Sequence, residues 1–378
     1  MLTMACYRKY FRGILVFLLS CTLSCACSES GYIAVTGYAQ GGVYSVKLSL
    51  DGHGGRVRLS PEEIKSGIDS VLLAVNNSLS GYDKSSLLSR FNAGESIVPD
   101  GIFSDIYRIS GRYYDETGGC FDVSAAPLFD IWGFGFTSDS LPSPQKVQSV
   151  MEGVGMDRLP DTLVLDSAGR TSASLLLGPG TPGEDAVTRG RALPMLNFNA
   201  IAQGYSCDLV ASYLHSIGVD QMLVDVGGEI YCEGLNPSGQ SWSIGLDRPV
   251  DGNNVPGRDL QGIFRAGPEP CGVVTSGNYR KYYVKDGKKY AHTIDPRTGY
   301  PVTHSLLSAT IVAANATEAD ALATYCMVIG LEEAVEFITS RPDLEGCLVY
   351  DEDGQMKTWT SAGLVLEESR PGPTAGSR

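Results

Sequence analysis

The stretch AHTIDPRTGYPVTH, residues 291–304, places His292 just before the turn-forming run Asp295-Pro296-Arg297-Thr298-Gly299. Proline fixes φ and glycine admits positive φ, so backbone geometry accounts for that run. It does not account for His292, one of only 4 histidines in the chain. A histidine at a strand end can be a structural hydrogen-bond donor, and it can equally take a proton from a hydroxyl near neutral pH. Asp320 and Thr324 form a second candidate set. Four residues apart on a helix, their oxygens project from one face and suit a hard cation such as Mg²⁺, which binds few protein oxygens. The competing account puts Asp320 at the third helical position behind a Thr317 cap, where a carboxylate steadies the first turn without a metal. In VDVGGE, Asp225 ends an apolar run ahead of Gly227 and Gly228, so a carboxylate stands beside backbone that a ligand can approach closely. Gly-Gly also serves a plain tight hairpin, and an aspartate beside a phosphate needs a metal or a ligand hydroxyl between them.

These residues need elements to hold them. GYAQGGVYSVKLSL reads as a strand with a glycine break. SPEEIKSGIDSVLLAVNNSLS opens with a Ser60 cap, Pro61 and Glu63, and carries Ile64, Ile68, Val71, Leu72 and Val75 on one face. A Gly/Pro-rich loop at 178–191 reads as a surface insertion, followed by a short approach strand and a helix over 202–215. MLVDVGGEIYCEG reads as strand, glycine turn and return strand, and KYYVKDGKKYAHTID as a hairpin around Asp-Gly. NATEADALATYCMVIGLEEAVEFITSRPD holds two helices, the first ended by Gly330 and the second followed by Pro342. With no repeat and no long linker, the elements predict a single compact α+β domain over 32–366 and a disordered tail over 367–378.

The chain has 378 residues and a formal net charge of −14, which excludes a general nucleic-acid or anionic-membrane binder. An anionic ligand would need local help from glycine-turn amides or a carboxylate-held metal. Residues 1–20 read as an export signal: Arg8, Lys9 and Arg12 precede the apolar GILVFLLS, which is shorter than the roughly 20 residues of a spanning helix. Cys21, directly after Leu18-Leu19-Ser20, resembles the lipidated cysteine of bacterial lipoproteins, with Cys25 and Cys27 as alternatives and ordinary signal cleavage as a further one. Cys120, Cys207, Cys232, Cys271, Cys326 and Cys347 remain in the body, without a C-x-x-C or His-linked metal spacing. Neither a G-x-S-x-G elbow, a Walker A loop nor a G-x-G-x-x-G at a helix start is present.

The blocks TGYAQGGVYSV, SGYDKSSLLSRFN, GGCFDVSAAPLFDIWGFG, NFNAIAQGYSCD, VDVGGE, TSGNYRKYY, HTIDPRTGYPV and ATEADALATYCMVIG occur in an order that resembles the ApbE family, the FAD:protein FMN transferases or flavin-trafficking lipoproteins. The resemblance implies an α+β fold related to T-fold units, with FAD in a cleft and Mg²⁺ at its diphosphate. It implies transfer of FMN from FAD to a threonine hydroxyl of a target protein, with AMP released; some relatives instead hydrolyse FAD to FMN and AMP. Both reactions are displacements at phosphorus. Carried onto this chain, it makes Asp320, Thr324 and the Ala200 carbonyl the metal ligands and His292 the general base. It makes Asp225, in the block that faces metal and diphosphate, a second catalytic residue, and puts Gln40, Tyr82, Ala125, Ala126, Pro127, Asn197, Gln203 and Ser276 in FAD-contacting blocks. Gln203 stands where many relatives have Lys, Asn197 where they have Asp, and Gln40 where Met is frequent. The implied setting is the periplasmic side of the bacterial inner membrane, with a membrane redox complex as acceptor. A metal-dependent FAD pyrophosphatase and a flavin-binding lipoprotein without turnover are the rival readings.

Overall fold

A computed structural model describes residues 31–368 apart from 53, 135–140, 178–192, 251, 254, 256, 279–281, 286 and 287. The stretch read as an export signal, with Cys21, Cys25 and Cys27, and the loop expected at 178–191 lie outside the described residues, as do residues 369–378.

The chain opens with β1 (Tyr32–Ala39) and β2 (Gly42–Ser49), paired antiparallel from Tyr32↔Ser49 to Ala39↔Gly42. The expected single strand with a break is therefore a hairpin. Its two-residue turn places Gln40 at φ 51° and Gly41 at φ 79°, the pair of positive values that a right-twisted hairpin requires. Helix α1 (Pro61–Leu79) begins as expected, with Glu63 N donating to Ser60 Oγ at 3.2 Å and Ser60 N to Glu63 Oε2 at 2.8 Å. Ile64, Ile68, Leu72 and Val75 are buried on one face. Two shorter helices, α2 (Leu87–Asn92) and α5 (Pro144–Met151), lie further along the chain. The stretch 193–198 forms no approach strand; its backbone is pinned instead by Asn92, which bonds Leu196 N and O at 2.8 Å each.

β3 (Met222–Val226) and β4 (Glu229–Glu233) form the expected hairpin. The chain then leaves to build β5 (Trp242–Asp247) and β6 (Leu260–Ala266), and returns as β7 (Cys271–Gly277). Short hairpins follow, β8 (Tyr282–Lys285) with β9 (Lys288–Ala291) and β10 (Ile294–Asp295) with β11 (Tyr300–Pro301). β12 (Leu306–Ala313), β13 (Glu345–Glu352), β14 (Gln355–Thr360) and β15 (Leu366–Glu367) complete the strands used below. Eight strands make one antiparallel sheet in the order β1-β2-β3-β4-β7-β12-β13-β14, and β15-β6-β5 make a second. Pairing thus reaches Glu367, whose carboxylate also takes two bonds from Arg265 at 3.0 and 3.1 Å, one residue past the expected domain boundary.

Side-chain alternation sorts the main sheet into two faces. Met222, Val224, Val226 and Tyr231 face α1 and α6 (Ala202–Ser216). Val274, Ala309 and Ile311 face α7 (Ala316–Ile329) and α3 (Gly101–Glu116). Cys232, Val273, Cys347 and Val349 pack on the other face against Trp242, Ile244 and Leu246 of the small sheet. Helices on one side and strands on the other give the expected α+β class. No described helix is long and apolar enough to cross a membrane.

Candidate functional site

Helices α6 and α7 cross where Gly204 lies: a Cβ there would stand 2.3 Å from the Ala316 carbonyl oxygen and 2.7 Å from Asp320 Cβ. Close approach puts the Gly204 amide, one of the orphan donors of the α6 N-terminus, 3.0 Å from Asp320 Oδ2. The ladder of α6 starts only with Tyr205 N to Ile201 O at 3.0 Å, leaving the Ala200 carbonyl ahead of it. The expected Thr317 cap is corrected: Asn315 caps α7, accepting from Glu318 N at 2.9 Å. Asp208 of α6 accepts the two amides before it, Ala316 N at 2.9 Å and Thr317 N at 2.8 Å, and also the Thr317 hydroxyl. Asp320 therefore lies one turn deeper than a first-turn carboxylate and is buried. Burial raises its carboxyl above the ordinary range, the Gly204 amide opposes this, and Asp208 adds to it. None of these groups is a cation. One turn on, Thr324 Oγ1 stands 3.4 Å from Ser276 Oγ of β7.

Gly204→Ala should cost about 1–3 kcal/mol or more, because the methyl meets backbone rather than a yielding side chain. A lowered urea midpoint measures it; an unchanged midpoint would mean that the helix crossing yields to a methyl group.

The β3–β4 turn forms the next edge. Gly227 and Gly228 have φ 74° and 112°, and the Gln203 amide packs over Gly227, where a Cβ would lie 2.0 Å from its Nε2. Val226 pairs with Glu229, so both point to the helix side, and Glu229 lines the cleft. Asp225 has the parity of Leu223 and Ile230, which pack toward the small sheet. Its Oδ1 accepts from Gly228 N at 3.0 Å, and burial raises its carboxyl against the lowering effects of that amide and Lys47. Asp225 is not among the cleft-lining residues: it forms the turn, and Glu229 is the carboxylate that this turn presents. Sequence reading missed Glu229, although hairpin parity could have found it, since Val224 and Val226 had to face the core.

Across the cleft run Tyr82, Phe121, Asp122, Val123, Phe129 and Asn197. Asp122 was not anticipated, as it sits in an aperiodic loop. Its Oδ1 accepts from Ser124 N at 2.8 Å and Ser124 Oγ at 2.7 Å, and burial pushes its carboxyl up to about 6. Ala125 and Ala126 are buried behind this wall, with Pro127 at the start of α4 (Ala126–Ile131), and none of the three lines the cleft. Gln40 does not line it either; its Nε2 donates to Ser206 Oγ of α6 at 2.5 Å.

His292 enters from the turn side. Asp295 takes Arg297 Nε at 3.1 Å and Nη2 at 3.0 Å, and Gly299 N bonds Asp295 O at 2.8 Å. Trp132 Nε1 donates to the Gly299 carbonyl at 2.8 Å, pinning the turn to the α4 end. The His292 ring meets Phe134 edge-on, with centroids 6.4 Å apart. Of the residues singled out in the sequence, Tyr82, Asn197, Ala200, Gln203, Ser276, His292, Asp320 and Thr324 line one cleft of about 310 Å³, within the usual range of small-molecule sites.

Met327 and Val328 close the cleft beyond Thr324. His304 holds this end of α7: Nε2 donates to Met327 O at 2.9 Å while Nδ1 accepts from Leu306 N at 3.3 Å, which requires the neutral ring. Burial lowers its pKa below 6.5. Its stabilising contribution is therefore complete above about pH 6.5 and is lost as pH falls through the folded value. The wild-type Tm should drop between pH 7.5 and 5.5 by more than that of His304→Gln; equal slopes would exclude this role.

No cluster of three or more His, Cys, Asp or Glu suited to a metal occurs among the described residues. One buried carboxylate, a hydroxyl one turn away and a backbone carbonyl outside its helix ladder nevertheless fit Mg²⁺, which keeps waters and phosphate oxygens in its remaining positions. They do not fit zinc, which prefers nitrogen and sulfur.

Known proteins share this arrangement of elements. The chain is 29% identical to the FAD:protein FMN transferase of Haemophilus influenzae over 365 residues, 94% of this chain and 97% of that one. It is 32% identical to the FAD:protein FMN transferase of Escherichia coli K12 over 304 residues, 79% and 80% of the two chains. The structure of the flavin transferase ApbE from Vibrio cholerae superposes with a TM-score of 0.69 at 27% identity, over 88% of this chain and 97% of that one. The sequence model of the ApbE family matches residues 41–348, a span that contains every cleft residue named above from Tyr82 to Val328, and the chain belongs to the ApbE family.

Proposed function

We propose that the chain is an FAD:protein FMN transferase that moves FMN from FAD to a threonine hydroxyl of an acceptor protein and releases AMP. The observation that carries this reading is one cleft that brings His292 together with the oxygen donors Asp320, Thr324 and Ala200, in a chain similar to FAD:protein FMN transferases along nearly its whole length. His292 would take the proton of the acceptor hydroxyl as its oxygen bonds the FMN-side phosphorus and the bond to the AMP phosphate breaks. Asp320, Thr324 and the Ala200 carbonyl would hold Mg²⁺, which supplies positive charge against the diphosphate in a protein with a net charge of −14. Gly204 sets Asp320 by its amide, Gln203 covers the Gly227 turn, and Phe121, Val123 and Phe129 supply apolar wall for a ring system. With Gln203 and Asn197 where the family resemblance leads one to expect Lys and Asp, this part of the cleft offers amide groups rather than a cation.

The proposal includes export and lipid anchoring at Cys21, supported by the basic, then apolar, then cysteine-bearing order of residues 8–21. It places the enzyme on the periplasmic side of the inner membrane, with a membrane redox complex as acceptor. The test incubates the protein with FAD and Mg²⁺, with and without an acceptor carrying a candidate threonine, and follows AMP and protein-bound flavin. Acceptor-dependent flavinylation is expected. Free FMN without acceptor would make the protein an FAD pyrophosphatase, and intact bound FAD would make it a carrier.

A further inference from the structure

We propose that Cys232 and Cys271 form a disulfide that ties β4 to β7 within the main sheet and closes the excursion of chain that builds β5 and β6 of the small one. The two residues face each other across the β4–β7 ladder, in the register Cys232↔Cys271, and their Sγ atoms lie 3.5 Å apart. Directly opposed antiparallel residues hold their Cα atoms about 4.5–5.5 Å apart, inside the span of a disulfide. Both side chains point to the face covered by Trp242 and Ile244. The place of the pair in the chain gives the bond its consequence. After Glu233 the backbone leaves the main sheet, builds β5 and β6, and re-enters it at Cys271. A bond between Cys232 and Cys271 closes this excursion at its root and removes conformations available to it in the unfolded chain.

The surroundings of the two thiols order the chemistry. Cys232 is buried, whereas Cys271 is partly exposed. The two sulfurs share a hydrogen bond across 3.5 Å, which favours the Cys271 thiolate and lowers its pKa. The Cys271 thiolate attacks one sulfur of a small-molecule or protein disulfide, expelling one thiol of the oxidant and leaving a mixed disulfide. Cys232 then loses its proton and attacks the Cys271 sulfur, expelling the second thiol. Two protein thiols lose two electrons and two protons, and the oxidant disulfide becomes two thiols. Neither cysteine lines the cleft, so the bridge leaves the groups assigned to flavin transfer untouched.

The test uses the full-length chain, purified reduced, freed of reductant and exposed to glutathione disulfide. Mass spectrometry should find the loss of two hydrogens and a linked pair of peptides containing Cys232 and Cys271. Cys232→Ser should instead retain glutathione on Cys271, and Cys271→Ser should form neither product. Oxidation should raise the wild-type Tm by about 5 °C and leave both variants unmoved. Two free thiols, a lasting glutathione adduct on wild-type Cys271, or a bridge to another cysteine would each overturn the proposal. The wild-type peptide map decides the matter even where a serine variant folds poorly.

Discussion

Asp320→Asn should lower FMN transfer by at least about 10²-fold, yet leave the cation-free protein as stable as before or more so. The substitution keeps the shape of the side chain and an oxygen for the Gly204 amide, which lies 3.0 Å from Oδ2. It removes a charge that the fold does not neutralise: burial and Asp208 hold the carboxyl of Asp320 above the ordinary carboxylate range. A group whose folded pKa is raised binds its proton more tightly folded than unfolded, so stability declines as pH rises from the unfolded value through the folded one. Asparagine does not titrate, and the decline should vanish with it. Mg²⁺ should raise the Tm of the wild type, because a ligand bound only by the native state stabilises it, and should do little for the variant. A variant that keeps Mg²⁺-dependent transfer, or one that unfolds in cation-free buffer, would remove Asp320 as the ligand.

Local signals made part of this architecture legible. The Ser60-Pro61-Glu63 start of α1 and the glycine turn of β3–β4 follow from contacts within a few residues, which sequence displays directly. The hairpin of β1 and β2 was obscured because its first positive-φ position holds Gln40 rather than Asn, Asp or Gly. Its side chain answers to Ser206, far along the chain. The cap of α7 was misplaced for a related reason. Thr317 is a plausible local cap, but Asp208 supplies the carboxylate from another helix, and Asn315 takes the cap position itself.

The candidate site divides along the same line. His292, Asp320 and Thr324 were visible as residue types at telling positions, but spacing alone left each with an ordinary structural account. Only the order of the blocks joined them, because they meet through α6, α7, β7 and the 295–299 turn, which are distant in sequence. Asp225 and Glu229 show what one more geometric step would have given. In a two-residue hairpin Val226 and Glu229 are partners, so the buried valine carries the glutamate to the helix side and Asp225 to the other.

His292→Ala should reduce transfer by about 10²–10⁴-fold with FAD affinity kept within about threefold of wild type. The separation follows from how the residue is mounted. The turn behind it is fixed by the Arg297–Asp295 pair, by Gly299 N on Asp295 O and by Trp132 on the Gly299 carbonyl, none of which uses the imidazole. Removing the ring therefore takes away a group able to accept a proton, along with its contacts such as the edge contact with Phe134, while Phe121, Val123 and Phe129 still line the cleft. A residue that only shaped the cleft would change FAD affinity and rate together. A proton acceptor should change the rate of the chemical step alone, and added imidazole should restore part of it. Flavin titration, single-turnover transfer and imidazole rescue distinguish the two. Wild-type transfer in the variant, or a loss explained by FAD affinity and unmoved by imidazole, would return His292 to a structural role and leave the cleft without its base.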